Sequence, residues 1–286
     1  MTAMSGGITP AARPWGLWAR QVRGIVRIEL RKVLFSRWSL IGWGLALLPV
    51  MLLSARVAVV VALGWSTPGS TAADEQSYAA VYQALILRLC VFFGCLVIFI
   101  NLFRGEIHDR TLHYYLLAPV RRPVLVAGKF LGGALGAALL FGGATLGTRL
   151  LLLATHDAAG ATRWITDGAW LANTLAYAGE TLLACLSYGA AFLVIGMLPV
   201  NPIVPAILLL GWESANVFLP ATLQLFSVVF YLDALNPVPL DLGPVAILST
   251  PPSVPVAVVV LSALTAALLG VAMCLGRRME VTYGEE

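Results

Sequence analysis

The sequence predicts an all-α integral membrane protein with six transmembrane helices. Of its 286 residues, 59% are hydrophobic and 11% are charged, whereas a soluble domain has about 45–50% and about 25%. The mean hydropathy is +0.88. The apolar residues also gather into six runs, each reaching the roughly 20 residues that a helix needs to cross a bilayer. An ordinary water-soluble domain is therefore excluded.

The chain divides into an N-terminal segment, one membrane domain and a short tail. The N-terminal segment covers 1–38, the membrane domain 39–276 and the tail 277–286. Neither an internal repeat nor a low-complexity linker divides the membrane domain. The predicted spans are about 39–63, 80–103, 124–154, 170–196, 203–222 and 254–276.

The arginines and lysines predict the orientation of these spans. Fourteen of the 18 lie in the N-terminal segment, in the connection after the second span with the foot of the third, and in the tail. The opposite connections carry only Arg163. Because basic residues concentrate in cytoplasmic connections, both termini are predicted to be cytoplasmic. The formal net charge of +4 is too small to suggest a nucleic-acid partner.

A basic amphipathic helix is predicted within residues 20–38. Its apolar side chains fall mostly on one broad helical face, and arginines and a lysine lie between them. Such a helix before a first span is expected to lie along the cytoplasmic membrane surface. Anchoring to anionic lipid and docking of a partner protein are both open interpretations.

A second cytoplasmic helix is predicted between the second and third spans. Acidic residues precede Leu112, Tyr115 and Leu116, which have helical spacing, and Ala118-Pro119 ends the pattern. An exposed apolar patch on such a short helix usually marks a protein contact. Contact with lipid alone is the alternative.

The last outer connection, 223–253, opens with an apolar and aromatic stretch from Leu223 to Leu232. About ten residues are too few to cross the membrane. The stretch is therefore predicted to be re-entrant, dipping into the outer leaflet before the sixth span, or to lie on that leaflet.

Five ionisable residues fall within the predicted spans. Arg56, Arg88 and Arg149 lie in the outer third, where snorkelling to the headgroups and pairing with an acidic residue are both open interpretations. Glu180 and Glu213 lie near mid-depth, where a carboxylate is costly. Glu180 is expected to have a structural role, either protonated or paired with one of the outer arginines.

The fifth span also carries Trp212 and Asn216, and Glu213 and Asn216 share a helical face. A carboxyl group within the membrane is a candidate for function, so a substrate path or a dimer interface is one interpretation. A structural role is the other.

Small residues recur at four-residue intervals on the third span, a spacing that allows close helix packing. Packing within the subunit is preferred to a ligand groove. The glycines are Gly128, Gly132 and Gly136, followed by Gly143 and Gly147.

The first cytoplasmic connection carries a pattern of residues that ends at the foot of the third span: Glu106, Thr111, Leu116, Leu117, Pro119, Val120, Arg122, Gly128 and Lys129. In this pattern the connection resembles that of the membrane subunits of ABC-2 type exporters. Two positions depart from it, Arg110 at a usual glycine and Arg121 at a frequent serine. Glu29, Leu30 and Arg37 before the first span also resemble that family, as does Leu235-Asn236-Pro237.

This resemblance implies a permease in a plasma membrane, here a bacterial inner membrane, that pairs with a second copy of itself or a related permease. It also implies two copies of a cytoplasmic ATPase, which supply ATP and Mg²⁺. The chain itself lacks GxxxxGK[ST], and no catalytic residue, metal or cofactor is expected in it. The implied docking residues are Glu29, Glu106, Thr111, Leu112, Tyr115, Leu116, Pro119 and Arg122.

The sequence fits two other classes of function less well than it fits an exporter subunit. A membrane-embedded enzyme is disfavoured because the spans contain no HExxH, paired aspartates or Ser/His pair. A secondary transporter working without an ATPase is disfavoured because no symmetry between the two halves is evident. The substrate is expected to be lipid-like or amphipathic, and membrane lipids surround the chain.

Overall fold

The computed structural model describes residues 15–63, 71–108, 121–167, 169–198, 201–238 and 252–278, and these ranges contain helices but no strand. The all-α prediction is confirmed.

Two of the long helices each contain a π-helical part. Helix α3 (71–108) comprises Thr71–Val81, the π segment Tyr82–Val91 and Phe92–His108. Helix α4 (122–153) comprises Arg122–Ala137, the π segment Ala138–Gly142 and Gly143–Leu153. The others are α1 (Trp15–Phe35), α2 (Ser39–Ala62), α5 (Ala158–Thr166), α6 (Ala169–Met197), α7 (Ile203–Ser214), α8 (Ala221–Gln224), α9 (Val228–Asp233) and α10 (Val254–Arg278).

Five of these helices, α2, α3, α4, α6 and α10, are long and apolar enough to cross a membrane. Each coincides with a predicted span, so the chain has the fold of a multi-pass membrane protein. The second span differs at its outer end, because α3 begins at Thr71 and not near residue 80. Asp74 and Glu75 made this stretch look like a connection, but in the structure both pair with arginines of other helices.

The prediction of one continuous helix over 203–222 is wrong. Helix α7 ends at Ser214 after 12 residues, and at about 1.5 Å per residue it is about 18 Å long, against roughly 30 Å of hydrocarbon. A short 3₁₀ turn, Asn216–Phe218, and helices α8 and α9 follow. Pro220 limits any further extension, because proline has no N–H for the helical ladder.

Only the second half of the apolar stretch from Leu223 to Leu232 is folded into the protein. Residues Val228 to Leu232 of α9 are all buried, and α9 packs against α6 and α10, so for these residues the predicted contact with the outer leaflet is wrong. In the first half, Leu223, Leu225 and Phe226 are exposed, and their contact with lipid stays a prediction.

The core lies between α3, α4 and α6, where aromatic rings pack on glycines. Gly94 of α3 faces the Phe141 ring, and Gly189 of α6 faces the Phe99 ring, so neither site has room for a Cβ. By contrast, most of the apolar residues of α2 and α10 are not buried. Of the most apolar part of each helix, only 17% of the residues in α2 and 11% in α10 are buried. Lipid or another protein must cover these faces in the membrane.

The predicted N-terminal amphipathic helix is present as α1, but its buried face lies lengthwise on α4 and not on a lipid surface as predicted. Successive turns of the two helices match, because Ile25 lies against Gly128, Glu29 against Gly132 and Val33 against Gly136. The two helices therefore run side by side in the same direction. These three glycines pack within the subunit, as predicted, and the exposed face of α1 carries Arg23, Arg27 and Arg31.

We expect Gly132→Ala to loosen α1 from α4. A Cβ at Gly132 would lie 2.6 Å from the Cβ of Glu29, and overpacking of this kind costs about 1–3 kcal/mol. Amide exchange of residues 15–35, measured by mass spectrometry on the full chain, should become faster. Gly143→Ala is the control, since nothing lies within 4 Å of a Cβ there. Equal protection of α1 in both variants would contradict the packing described.

Candidate functional site

A buried cluster of charges joins α1, α3 and α4. The ammonium group of Lys129 on α4 lies 2.6 Å from Oε1 of Glu29 on α1 and 2.7 Å from Oε1 of Glu106 near the end of α3. It also donates to the carbonyl oxygen of Leu102 at 3.0 Å. These three acceptors match the three N–H bonds of the ammonium. The Lys129 side chain is 0% exposed.

Lys32 of α1 completes this group, which we call the lysine cluster: Glu29, Lys32, Glu106 and Lys129. Its Nζ lies 2.6 Å from Oε1 of Glu106 and 3.6 Å from Oε1 of Glu29. Two positive and two negative charges balance, which offsets the cost of burying them. Lys32 and Lys129 are the only lysines in the sequence, so both lysines of this arginine-rich chain serve one site.

The lysine cluster lies beside the connection between α3 and α4. This connection leaves α3 at His108 and enters α4 at Arg122. The cluster binds the last turns of α3 to the first turns of α4 and attaches α1 to both. The amphipathic helix and the two ends of the connection are therefore held in one fixed arrangement.

The residues predicted to dock an ATPase fall into three groups. Glu29 and Glu106 are buried in the lysine cluster, so they position α1 and α3 and do not form an open surface. Arg122 is exposed and donates from Nη1 to the carbonyl oxygen of Arg277 at 2.8 Å. The others lie outside the described residues: Thr111, Leu112, Tyr115, Leu116 and Pro119.

Sequence reasoning used Lys129 only for topology and for the motif and missed its contacts. A usable signal was present, because Lys129 is the one charged residue between Arg122 and Arg149. A lone charge in so long an apolar run indicates a partner on another helix.

Arg149 is paired inside the protein, so of its two predicted interpretations the structure has the pairing and not the snorkelling. Its guanidinium binds both carboxylate oxygens of Glu75 at 2.9 and 2.7 Å. It also donates to Oγ1 of Thr174 at 3.0 Å and to the carbonyl oxygen of Trp170 at 3.3 Å. With its side chain 0% exposed, Arg149 links α3, α4 and α6. Four aromatic rings lie within 6 Å of the guanidinium carbon: Tyr78, Trp164, Trp170 and Tyr177.

The other two outer arginines are also paired, but in more exposed positions. Arg56 lies 3.5 Å from Asp74, and Arg88 lies 3.1 Å from Asp233. The expected pairing of Glu180 with an arginine does not occur within the described ranges. Its contact there is with the Gln83 amide, at 3.3 Å.

Glu213 holds α9 in place. One carboxylate oxygen accepts from the backbone N–H of Val228 at 3.0 Å, and the other accepts from Val229 N–H at 2.8 Å and from Ser227 Oγ at 2.9 Å. The carboxylate therefore caps the first turn of α9 from another helix, where the helix dipole favours a negative charge. These contacts favour the structural interpretation of Glu213.

The two residues predicted to act with Glu213 lie nearby on the chain but differ in environment. Asn216 is buried, and its backbone carbonyl oxygen accepts a hydrogen bond from Nε2 of Gln224 at 3.1 Å. Trp212 is half-buried. Asn216 lies past the end of α7, so the helical face that it was predicted to share with Glu213 does not form.

We expect Glu213→Gln to weaken the attachment of α9. The replacement amide turns its NH₂ group toward at least one of the two backbone N–H donors, so at least one accepted hydrogen bond is lost, at about 1–3 kcal/mol for each buried donor left unsatisfied. Amide exchange of residues 228–233 should become faster. Ser214→Ala is the control, since it changes an exposed neighbour at the end of α7. Unchanged protection of α9 in Glu213→Gln would contradict the capping role.

The fold and the lysine cluster define a class, a multi-pass α-helical membrane protein whose N-terminal helix is attached to its membrane bundle by buried ion pairs. Comparison of the sequence with protein-family models and with curated proteins finds no match.

Proposed function

We propose that this chain is the permease subunit of an ATP-driven exporter of the ABC-2 type. The observation that carries the proposal is the lysine cluster, which attaches the amphipathic N-terminal helix to both ends of the cytoplasmic connection. In the exporters that this chain resembles, the N-terminal helix and this connection are the two elements that contact the ATPase. The buried Lys129, bound to Glu29 and Glu106, would make them move together.

The proposed mechanism is transmission of force. Closure of an ATPase dimer would push on α1 and on the connection between α3 and α4. Because the lysine cluster joins these parts by contacts of 2.6–2.7 Å, the push would tilt α3 and α4 as a unit. Substrate would then move outward through a bundle whose packing has changed.

The partners in this proposal are an ATPase in two copies, which binds the ATP and Mg²⁺, and a second permease. The second permease is a copy of this chain or a related one, and the exposed apolar faces of α2 and α10 leave ample surface for it. The proposed location is a bacterial inner membrane with both termini cytoplasmic. The substrate would be lipid-like or amphipathic.

A photo-cross-linking experiment tests the ATPase contact. A photoreactive amino acid replaces Arg27, on the exposed face of α1, in the full-length chain expressed in its own host. We expect it to capture a protein that mass spectrometry identifies by GxxxxGK[ST]. The control probe replaces Val259, which is 66% exposed on α10, and should not capture that protein. Capture of no P-loop ATPase from Arg27, or equal capture from Val259, would contradict the proposal.

A further inference from the structure

An acid and an amide face each other inside the protein, and the acid forms no ion pair with any residue that the structure describes. Glu180, near the middle of α6, is 1% exposed, and Gln83, on the π-helical part of α3, is 5% exposed. The Nε2 of Gln83 donates to Oε1 of Glu180 at 3.3 Å. Among the residues that the structure describes, Glu180 makes no other hydrogen bond.

Two oxygens of this pair are left without a partner there. Oε2 of Glu180 and Oε1 of Gln83 are both buried and accept no hydrogen bond from the described residues. An ionised carboxylate and an amide oxygen can only accept, so they cannot satisfy each other. A protonated acid supplies the missing donor. A proton on Oε2 would allow Glu180 to donate to Oε1 of Gln83 while Nε2 of Gln83 donates to Glu180, and both oxygens would then have a partner.

The surrounding charges leave Glu180 without a counter-ion. Helix α10 has no charged side chain before Arg277, and Tyr78 and Tyr82 of α3 hydrogen-bond threonines. A buried carboxylate with neither a cation nor several donors costs several kcal/mol. The charged side chains on the neighbouring helices form ion pairs or hydrogen bonds with other residues. These are Arg149 with Glu75, Arg88 with Asp233, Lys129 with Glu29 and Glu106, and Glu213 with Ser227, Val228 and Val229.

The backbone that carries Gln83 is π-helical and not α-helical. Residues Tyr82–Val91 form a π-helix, and this segment contacts the second π-helical segment, Ala138–Gly142 of α4. Such wide turns are rare and frequently occur at functional sites. Here one of them carries the amide that contacts Glu180.

We propose that Glu180 is a buried proton-binding site. In this conformation the acid is neutral and forms a reciprocal pair with Gln83, and its proton exchanges with water only when α3 and α6 separate at this depth. The ligand is a proton, so a change in the packing of these helices is linked to proton uptake or release. This inference does not depend on an ATPase partner.

Infrared spectroscopy of the purified full-length chain in lipid nanodiscs at neutral pH tests the site. We expect the carbonyl stretching band of a protonated carboxylic acid. Glu180→Gln should fold, because two amides can form the same reciprocal pair, and should abolish the band. Gln83→Leu removes the oxygen that accepts the hydrogen bond of the acid, so the acid band should shift to higher frequency. Exchange of the acid proton for deuterium after transfer to D₂O should also become faster.

Glu213→Gln is the matched control. It removes another buried carboxyl group, but one bound by three donors, and should leave the acid band unchanged. Three results would overturn the proposal: no acid band in the wild-type chain, a band that persists in Glu180→Gln, or a band unaffected by Gln83→Leu. Because Glu180→Gln and Gln83→Leu are read independently, misfolding of either one still leaves a decisive variant.

Discussion

Replacing Lys129 by methionine should detach α1 and destabilise the end of the bundle at which α3 ends and α4 begins. The substitution leaves Glu29 and Glu106, both buried, facing each other with only the half-exposed Lys32 between them. Breaking a buried ion pair by removing one partner costs about 3–5 kcal/mol. We expect a lower thermal midpoint in detergent and faster amide exchange across residues 15–35.

Lys32→Met is the matched control for this effect. Its side chain is 43% exposed, so water can take over part of its role, and its removal should cost less than the removal of the fully buried Lys129. Equal effects of the two substitutions would show that burial of Lys129 does not determine the strength of the cluster. The triple variant Lys129→Met, Glu29→Gln, Glu106→Gln should recover part of the loss, because it removes the unpaired charges.

Replacing Arg149 by methionine should have an effect of similar size at the opposite end. Glu75 would lose both of its bonds to the guanidinium, at 2.7 and 2.9 Å, and would remain buried as an unpaired carboxylate. The expected cost is again about 3–5 kcal/mol. Thermal unfolding followed by circular dichroism should show a clear decrease in the midpoint.

Two further variants separate the charge from the packing. Arg56→Met removes an arginine from a 3.5 Å pair whose side chains are 47% and 19% exposed, and it should change stability by about 0–1 kcal/mol. Arg149→Met with Glu75→Met should be more stable than Arg149→Met alone, since replacing both members of a buried pair is often neutral. A double variant less stable than the single one would contradict this account.

The apolar pattern predicted most of the fold because burial in lipid requires long uninterrupted helices. Composition and hydropathy located five long helices, the amphipathic pattern located α1, and the spacing of Gly128, Gly132 and Gly136 indicated a packing face. Each of these signals is local and has the period of a helix. The helix end at Ser214 has only a weak signal, since Glu213, Ser214 and Asn216 interrupt the apolar run and Pro220 follows, but apolar residues resume between them.

Pairing between distant residues explains what sequence reasoning missed. Asp74 and Glu75 looked like part of an outer connection because their partners, Arg56 and Arg149, are on other helices. Glu213 looked like a candidate for function because the N–H groups that it binds, at Val228 and Val229, are 15 and 16 residues away. A charge inside a span can be interpreted only when its partner is known.

The most direct test of the central claim is ATP hydrolysis by the reconstituted complex. The chain is placed in proteoliposomes alone, with its captured ATPase, and with an ATPase whose P-loop lysine is replaced by alanine. The account predicts that hydrolysis and outward movement of a fluorescent lipid occur only with the intact ATPase, and that Lys32→Met retains this coupling better than Lys129→Met. Hydrolysis of ATP by the chain alone, or lipid movement that does not require ATP, would contradict it.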